Sequence, residues 1–421
     1  MSHKAKHWLG SLAAIAVIFS ACSGLPTPPS PPPSTSVPTV APAATPPSST
    51  PAPSTTATSG EPIKIGFLYP FSGDNAVFGD WAKAGVNLRL DQASHTVAGH
   101  PIEIFMADEN PLDPSATLLA LKDLVQRDGI QLLIGPVFSS DEEAVAAYLQ
   151  QVKIVSLIEE TCPWDVAKYK VFACWPGTDT AATSFVGDYA AAQGYHKIAT
   201  IGPDYVAGYN YLNGASDEFQ RKGGTVVQKQ WVPLTATDVG PFVSSIDPTA
   251  DALVVWLLPS NEVAFLQEYK NRGLTAPILL EFGLYDPSFQ DQGSQVLGMI
   301  GSSDYEPLAP GQANTDFWTA WKATYPDDLN PNEVQEGSWT MTDVALRALQ
   351  ATNGDASYGA LWSAILGLHW NAPTGPSCFS QNGMALTTHF MTQAIKQGAT
   401  YYWKPIASFP KVADPNDTGD C

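Results

Sequence analysis

The sequence predicts an α/β protein of two lobes, each built on a parallel central sheet. Three observations predict it. Short apolar runs alternate with helical segments through most of the chain after residue 61, and that alternation makes parallel sheets with right-handed crossovers. Ten such runs occur, too many for one ordinary open sheet. Residues 61–421 also exceed a single typical hydrophobic core.

The first segment, residues 1–21, reads as a targeting signal. Lys4 and Lys6 precede the apolar stretch WLGSLAAIAVIF, which is short for a bilayer span. FSAC follows, with small Ser20 and Ala21 before Cys22, and this is similar to a bacterial lipobox in which Cys22 is acylated. Phe19 stands where Leu is more usual. Residues 22–60 are nearly all Pro, Ser, Thr, Ala and Val, a composition that buries no core and stays extended. The expected localisation is therefore extracytoplasmic, with a lipid anchor on a stiff tether.

The ten expected strands are IKIGFLY, IEIFMA, IQLLIG, KIVSLI, KVFACW, KIATIG, TVVQKQWV, ALVVWLL, PILLEF and GMIGSS. Helices with readable ends lie between them. DPSATLLALKDLVQRDG opens with Asp113 as cap and Pro114 at the first position, and stops at Gly129. Ser140 to Glu143, SDEE, has the spacing of a capping box ahead of AVAAYLQQ. Two further helices end at Gly194 and Gly223. From Asp316 the pattern turns helical, and after Cys378 it becomes hairpin-like around Asn382-Gly383. The order suggests interleaved lobes. Residues 61–178 plus 309–371 would form the first and 179–308 plus 372–421 the second. Three crossings between them favour a hinge.

The formal net charge is −20, from 41 acidic and 21 basic residues. That balance argues against nucleic acid, which needs clustered Lys and Arg, and against adsorption to an anionic membrane surface. Four cysteines follow Cys22, and an even count outside the cytoplasm suggests disulfides. Cys162 and Cys174 are close enough to close a loop, leaving Cys378 and Cys421 to tie down the C-terminus; the alternative pairings stay open. No CxxC occurs, and no His lies at ligand spacing to these residues, so neither a metal nor a cofactor is expected.

No GxSxG, HExxH, phosphate-loop or GxGxxG motif asks for an enzyme. The paired acids Glu142–Glu143, Glu159–Glu160 and Asp327–Asp328 leave an extracellular hydrolase as an alternative. Ligands of open α/β sheets bind beyond the carboxyl ends of the strands, and polar residues recur there. Ser139 and Ser140 follow one strand, with Ser140 expected to cap its helix and Ser139 to face a cleft. Thr161 and Trp164 follow a second strand, Asp204 and Tyr205 a third, Glu281 and Tyr285 a fourth.

Four stretches then carry a resemblance: IKIGFLYPFSGDNAVFGDWAKAGVNLRLD, LVQRDGIQLLIGPVFSS, GPDYVAGYNYLNGASDEFQRKGGTVV and VPLTATDVGPFVSSIDPTADALVVW. Together they resemble the type I periplasmic-binding family, the branched-chain amino-acid-type solute-binding proteins of ABC importers. The resemblance runs from about Ile63 to GPSCFSQNGMALTTHFMTQ. It implies two Rossmann-like lobes joined by a three-strand hinge. It implies a monomer that captures an amino acid or related organic acid and delivers it to an ABC permease and its ATPase. The same fold also serves ligand-sensing receptors. By resemblance, Ser139 would bind the ligand carboxylate and Thr161 its carboxylate or amino group. Tyr205 would close from the second lobe and Glu281 pair with the ammonium, while Phe78 and Trp164 or Trp175 would pack the side chain. Glu159 and Glu160 stand where amino-acid binders usually have small residues. Either acid in the cleft would repel a carboxylate and favour a cationic group. Parts of the second lobe look more like binders of aromatic acids or other small organic molecules.

Overall fold

The computed structural model describes residues 60–285, 288–328 and 330–421. Cys22, the targeting signal and the tether lie outside the described residues. Among the described residues no helix is long and apolar enough to cross a membrane.

The first sheet contains β1 (Ile63–Tyr69), β2 (Thr96–Val97), β3 (His100–Asp108), β4 (Leu132–Ile134), β5 (Val155–Ile158) and β6 (Phe172–Cys174). Its order is β2-β3-β1-β4-β5-β6, parallel except for the short β2–β3 pairing. The period of two along each strand divides two buried layers. Ile65, Phe67, Leu132, Ile134, Val155 and Leu157 face one layer. Leu68, Leu133 and Ile158 face the other, with Val145 and Leu149 of helix Ser139–Val152.

The second sheet begins with β7 (Lys197–Pro203), β8 (Thr225–Val232), β9 (Ala252–Val255), β10 (Ile278–Leu280) and β11 (Ile300–Ser303). A small antiparallel sheet follows, of β12 (His369–Ala372), β13 (Gly375–Phe379) and β14 (Ala385–Leu386). The chain ends in a long hairpin, β15 (Thr388–Gln397) and β16 (Thr400–Pro410), that pairs antiparallel onto β11. The second sheet thus runs β16-β15-β11-β10-β9-β7-β8.

All ten apolar runs form strands. Asp113 caps its helix through the Ser115 and Ala116 amides, and Gly129 ends that segment in the left-handed conformation. Asn382-Gly383 makes the turn between β13 and β14, with Gly383 at φ +85°. Both disulfides form, Cys162–Cys174 and Cys378–Cys421.

Three expectations differ. The helix expected to start after Ser140 begins at Ser139, so Ser140 lies within it and caps nothing; its buried hydroxyl has no partner. A capping box forms instead at Asn332 and Gln335, which the sequence reading did not single out. Residues 372–386, expected with the second lobe, pack in the first. Trp370, Ala372, Phe379 and Ala385 join the core of Ile63 and Ile65, because the turn folds this hairpin back onto Phe172, whose carbonyl would lie 2.2 Å from a Cβ at Gly383.

Helices Ala76–Gln92 and Glu333–Ala351 close one face of the first lobe. They meet at Gly85, where a Cβ would lie 2.2 Å from the Gln335 carbonyl oxygen. Only a residue without a side chain allows that approach. The contact brings Glu333 and Glu336 to the junction of the lobes.

Candidate functional site

The carboxyl ends of both sheets converge on a cavity between the lobes. The first lobe supplies Phe78, Val137, Phe138, Ser139 and Glu160. The second supplies Tyr205, Tyr211, Trp256, Phe282 and Tyr285. Aromatic rings bridge the lobes, with Phe138 6.0 Å from Tyr205 and Trp81 5.2 Å from Tyr285 between centroids. Within the first lobe Phe78 packs edge-on to Phe138 at 5.7 Å. Within the second, Tyr211 meets Trp256 at 4.5 Å and Phe282 at 5.0 Å.

Strand ends position these groups. Ser139 starts a helix three residues after the cis Gly135–Pro136 bond that follows β4. Glu160 and Thr161 follow β5, Trp256 follows β9, and Phe282 follows β10 at φ +64°. The turn after β1 is satisfied internally: the Phe71 amide donates to Asp108 at 2.7 Å, and the Ser72 hydroxyl donates to the same carboxylate. That turn serves to set the start of the helix carrying Phe78.

The polar edge of the cavity is organised by two carboxylates. Asp179, fully buried, accepts from Thr161 at 2.6 Å, Ser139 at 3.2 Å and the Asn210 amide at 2.9 Å. Thr161 also meets the Tyr211 hydroxyl across the cleft. Glu109 accepts the Val137 and Phe138 backbone N–H groups at 3.0 and 2.8 Å, just before the helix that Ser139 opens. Burial pushes the Asp179 carboxyl up to about 6 against the lowering effect of its three donors. Burial, then the charge of Glu159, holds the Glu160 carboxyl well above the usual range. Farther in, Glu333 accepts from the Tyr285 hydroxyl and Glu336 from the Trp175 indole at 3.3 Å. Burial raises both to about 8. Among the described residues none of these six acids forms an ion pair with Lys, Arg or His. No cluster of metal-ligating side chains occurs among them either.

The candidates named from the sequence separate accordingly. Phe78, Ser139 and Tyr205 line the cavity with Glu160. Thr161 sits at its edge through Asp179 and Tyr211. Ser140 points its hydroxyl into the protein. Trp164 packs on the far face of the first sheet, and Trp175 is buried against Trp370. Glu281 is fully buried, outside the cavity lining, with both carboxylate oxygens unbonded. Sequence reasoning missed Phe138, Tyr211, Trp256, Asp179 and Glu109. Trp256 and Phe138 had a signal, since each ends or follows an apolar strand run. Asp179 and Glu109 had none.

The profile of the family described as periplasmic binding protein matches residues 62–399. The chain belongs to this periplasmic binding protein family. Its relatives include the Leu/Ile/Val-binding protein homolog 6 of Brucella suis. That relative is 23% identical over 369 residues, covering 86% of this chain and 95% of the relative. Among solved structures, a solute-binding protein of an ABC transporter from Rhodopseudomonas palustris, in complex with 4-hydroxybenzoate, superposes with a TM-score of 0.79 at 21% identity. That match covers 85% of this chain and 100% of the other. A second, from R. palustris BisB5 in complex with 3,4-dihydroxybenzoic acid, gives 0.78 at 24% identity, covering 84% and 99%. A leucine-binding protein from Thermotoga maritima gives 0.73 at 18% identity, covering 83% and 99%. This periplasmic binding protein therefore shares with them the two-lobe fold whose interlobe cavity has just been described.

Proposed function

We propose that this periplasmic binding protein is a lipid-anchored carrier. It closes its lobes on a small organic solute outside the cytoplasm and delivers it to an ABC permease and its ATPase. One observation carries the reading: an aromatic-lined cavity draws its walls from both lobes. Such a composition, mostly apolar with few polar groups, suits a small-molecule site. The cross-cleft contacts Phe138–Tyr205 and Trp81–Tyr285 would separate if the lobes opened. Closure would then be a hinge motion biased by a ligand that touches both sides. Cys22 would be the lipid attachment and residues 23–60 the tether. The solute would be of amino-acid or small organic-acid size, since the relatives named above bind such molecules.

The test is calorimetric titration of the full chain against amino acids, aromatic acids, amides and polyamines. A ligand at 100 times its dissociation constant stabilises the folded state by about 2.7 kcal/mol, so thermal unfolding screens the panel first. The expected result is one-to-one binding that weakens at least tenfold in Tyr205→Ala. Turnover of a panel compound without stoichiometric retention would instead point to a hydrolase. Uptake by cells that depends on the chain then tests delivery.

A further inference from the structure

We propose that the interlobe cavity holds an organic ammonium ion, with Glu160 as its counter-charge and the aromatic walls as the surface over which the cation sits. The inference rests on the carrier reading above and names the charge of the solute carried.

Glu160 is the one acidic side chain among the residues lining the cavity, and a cation beside it favours its ionised form; the rest of the lining is apolar, aromatic or hydroxyl-bearing. The groups suited to a ligand carboxylate are already occupied by the protein's own acids. Ser139 and Thr161 donate to Asp179, and the amides of Val137 and Phe138 donate to Glu109. A ligand carboxylate set beside these hydroxyls would stand against Asp179 in a water-poor site, where like charges repel strongly. The same field attracts a cation. Glu159, beside Glu160 in the chain and only 2% exposed, has both oxygens unbonded. Phe138 and Tyr205 meet at the cavity wall, with Trp256 beyond Tyr205 at 6.0 Å. Indole and phenol faces attract a cation through the ring quadrupole, more so when it is desolvated. An isolated buried charge is costly, and pairing with Glu160 offsets that cost. Aromatic walls together with one free carboxylate therefore select an ammonium group and reject a carboxylate.

The probes are 2-phenylethylammonium and choline as cations, 4-hydroxybenzoate as an anion and leucine as a zwitterion, each titrated calorimetrically into the full chain at pH 7.5. At least one cation is expected to bind tenfold or more tightly than the anion and the zwitterion. Glu160→Gln, isosteric and uncharged, is expected to weaken that cation at least tenfold without lowering the melting temperature of the free protein. Trp256→Leu, which keeps the carboxylate, is expected to weaken it about fivefold. Tighter binding of 4-hydroxybenzoate or leucine than of both cations overturns the proposal, as does cation affinity unchanged in Glu160→Gln. If neither cation binds but another compound of the wider panel does, the cation is wrong and the carrier reading stands. If nothing in the panel binds, both fall.

Discussion

The Thr161 hydroxyl donates to the Asp179 carboxylate at 2.6 Å, across the junction where the chain first passes between lobes. Ser139 and Asn210 complete the same acceptor. A buried acid with three donors thus ties the end of β5, the helix after β4 and a helix of the second lobe to one point.

That arrangement sets a pH dependence. The Asp179 carboxyl is raised to about 6, Asp141 to about 6, and Glu333 and Glu336 to about 8. Each lies above its unfolded value near 4. Such a group carries no penalty while both states are protonated, and stability is lost as pH rises through the folded value. For Asp179 alone the loss between about pH 4 and 6 is about 3 kcal/mol. The melting temperature of the free protein is expected to rise as pH falls from 8 to 5.5, with a flatter profile below pH 6.5 in Asp179→Asn. A melting temperature that drops over that range would contradict the assignment.

Ser140→Ala separates the two accounts of the helix start. If Ser140 capped the helix, its loss would cost about 1 kcal/mol. Its hydroxyl is buried without a partner, so removal relieves an unmet polar group. Chemical denaturation is expected to show equal or slightly higher stability.

Gly85→Ala is expected to be costly. The added Cβ would stand 2.2 Å from the Gln335 carbonyl and 2.9 Å from the Trp339 nitrogen, both backbone. The helices must move apart, at about 1–3 kcal/mol. A urea midpoint equal to that of the parent would show that the two helices do not meet at this point.

The two disulfides differ in access. Cys162 and Cys174 are fully buried, whereas Cys421 is exposed. Exchange needs a thiolate to reach a sulfur. Mild dithiothreitol followed by alkylation and mass mapping is expected to label Cys378 and Cys421 while Cys162 and Cys174 stay bonded. Loss of this bridge, which spans 43 residues, is expected to lower stability by up to about 4 kcal/mol on the loop-closure estimate. Labelling of all four cysteines under native conditions would overturn the assignment.

Much of the fold was legible because its signals are local. An apolar run such as IKIGFLY or ALVVWLL reads as a strand from its own residues, and Asp113-Pro114 marks a helix start without reference to the rest of the chain. The long β15–β16 hairpin was not read, because its alternation is weak and Gly398 alone marks its turn. The helix begins at Ser139, one residue earlier than the Ser140 spacing suggested, and the two amides just before it are bound by Glu109, a partner 29 residues away in sequence from Phe138.

The site divides the same way. Ser139 and Tyr205 could be named because each follows a recognisable strand end, and Phe78 because of the family resemblance. Asp179 meets Ser139 across a sequence separation of 40, and Glu109 meets Phe138 across one of 29. No periodicity or cap spacing links such pairs. Residue pattern alone therefore determined the α/β class, the strand run and the strand ends where a ligand would sit. Folding alone decided which acids converge there and which of them are already bonded. Hydrophobic periodicity is written along a few successive residues, whereas the charge of a cleft is set by groups that come together only when separate crossings close.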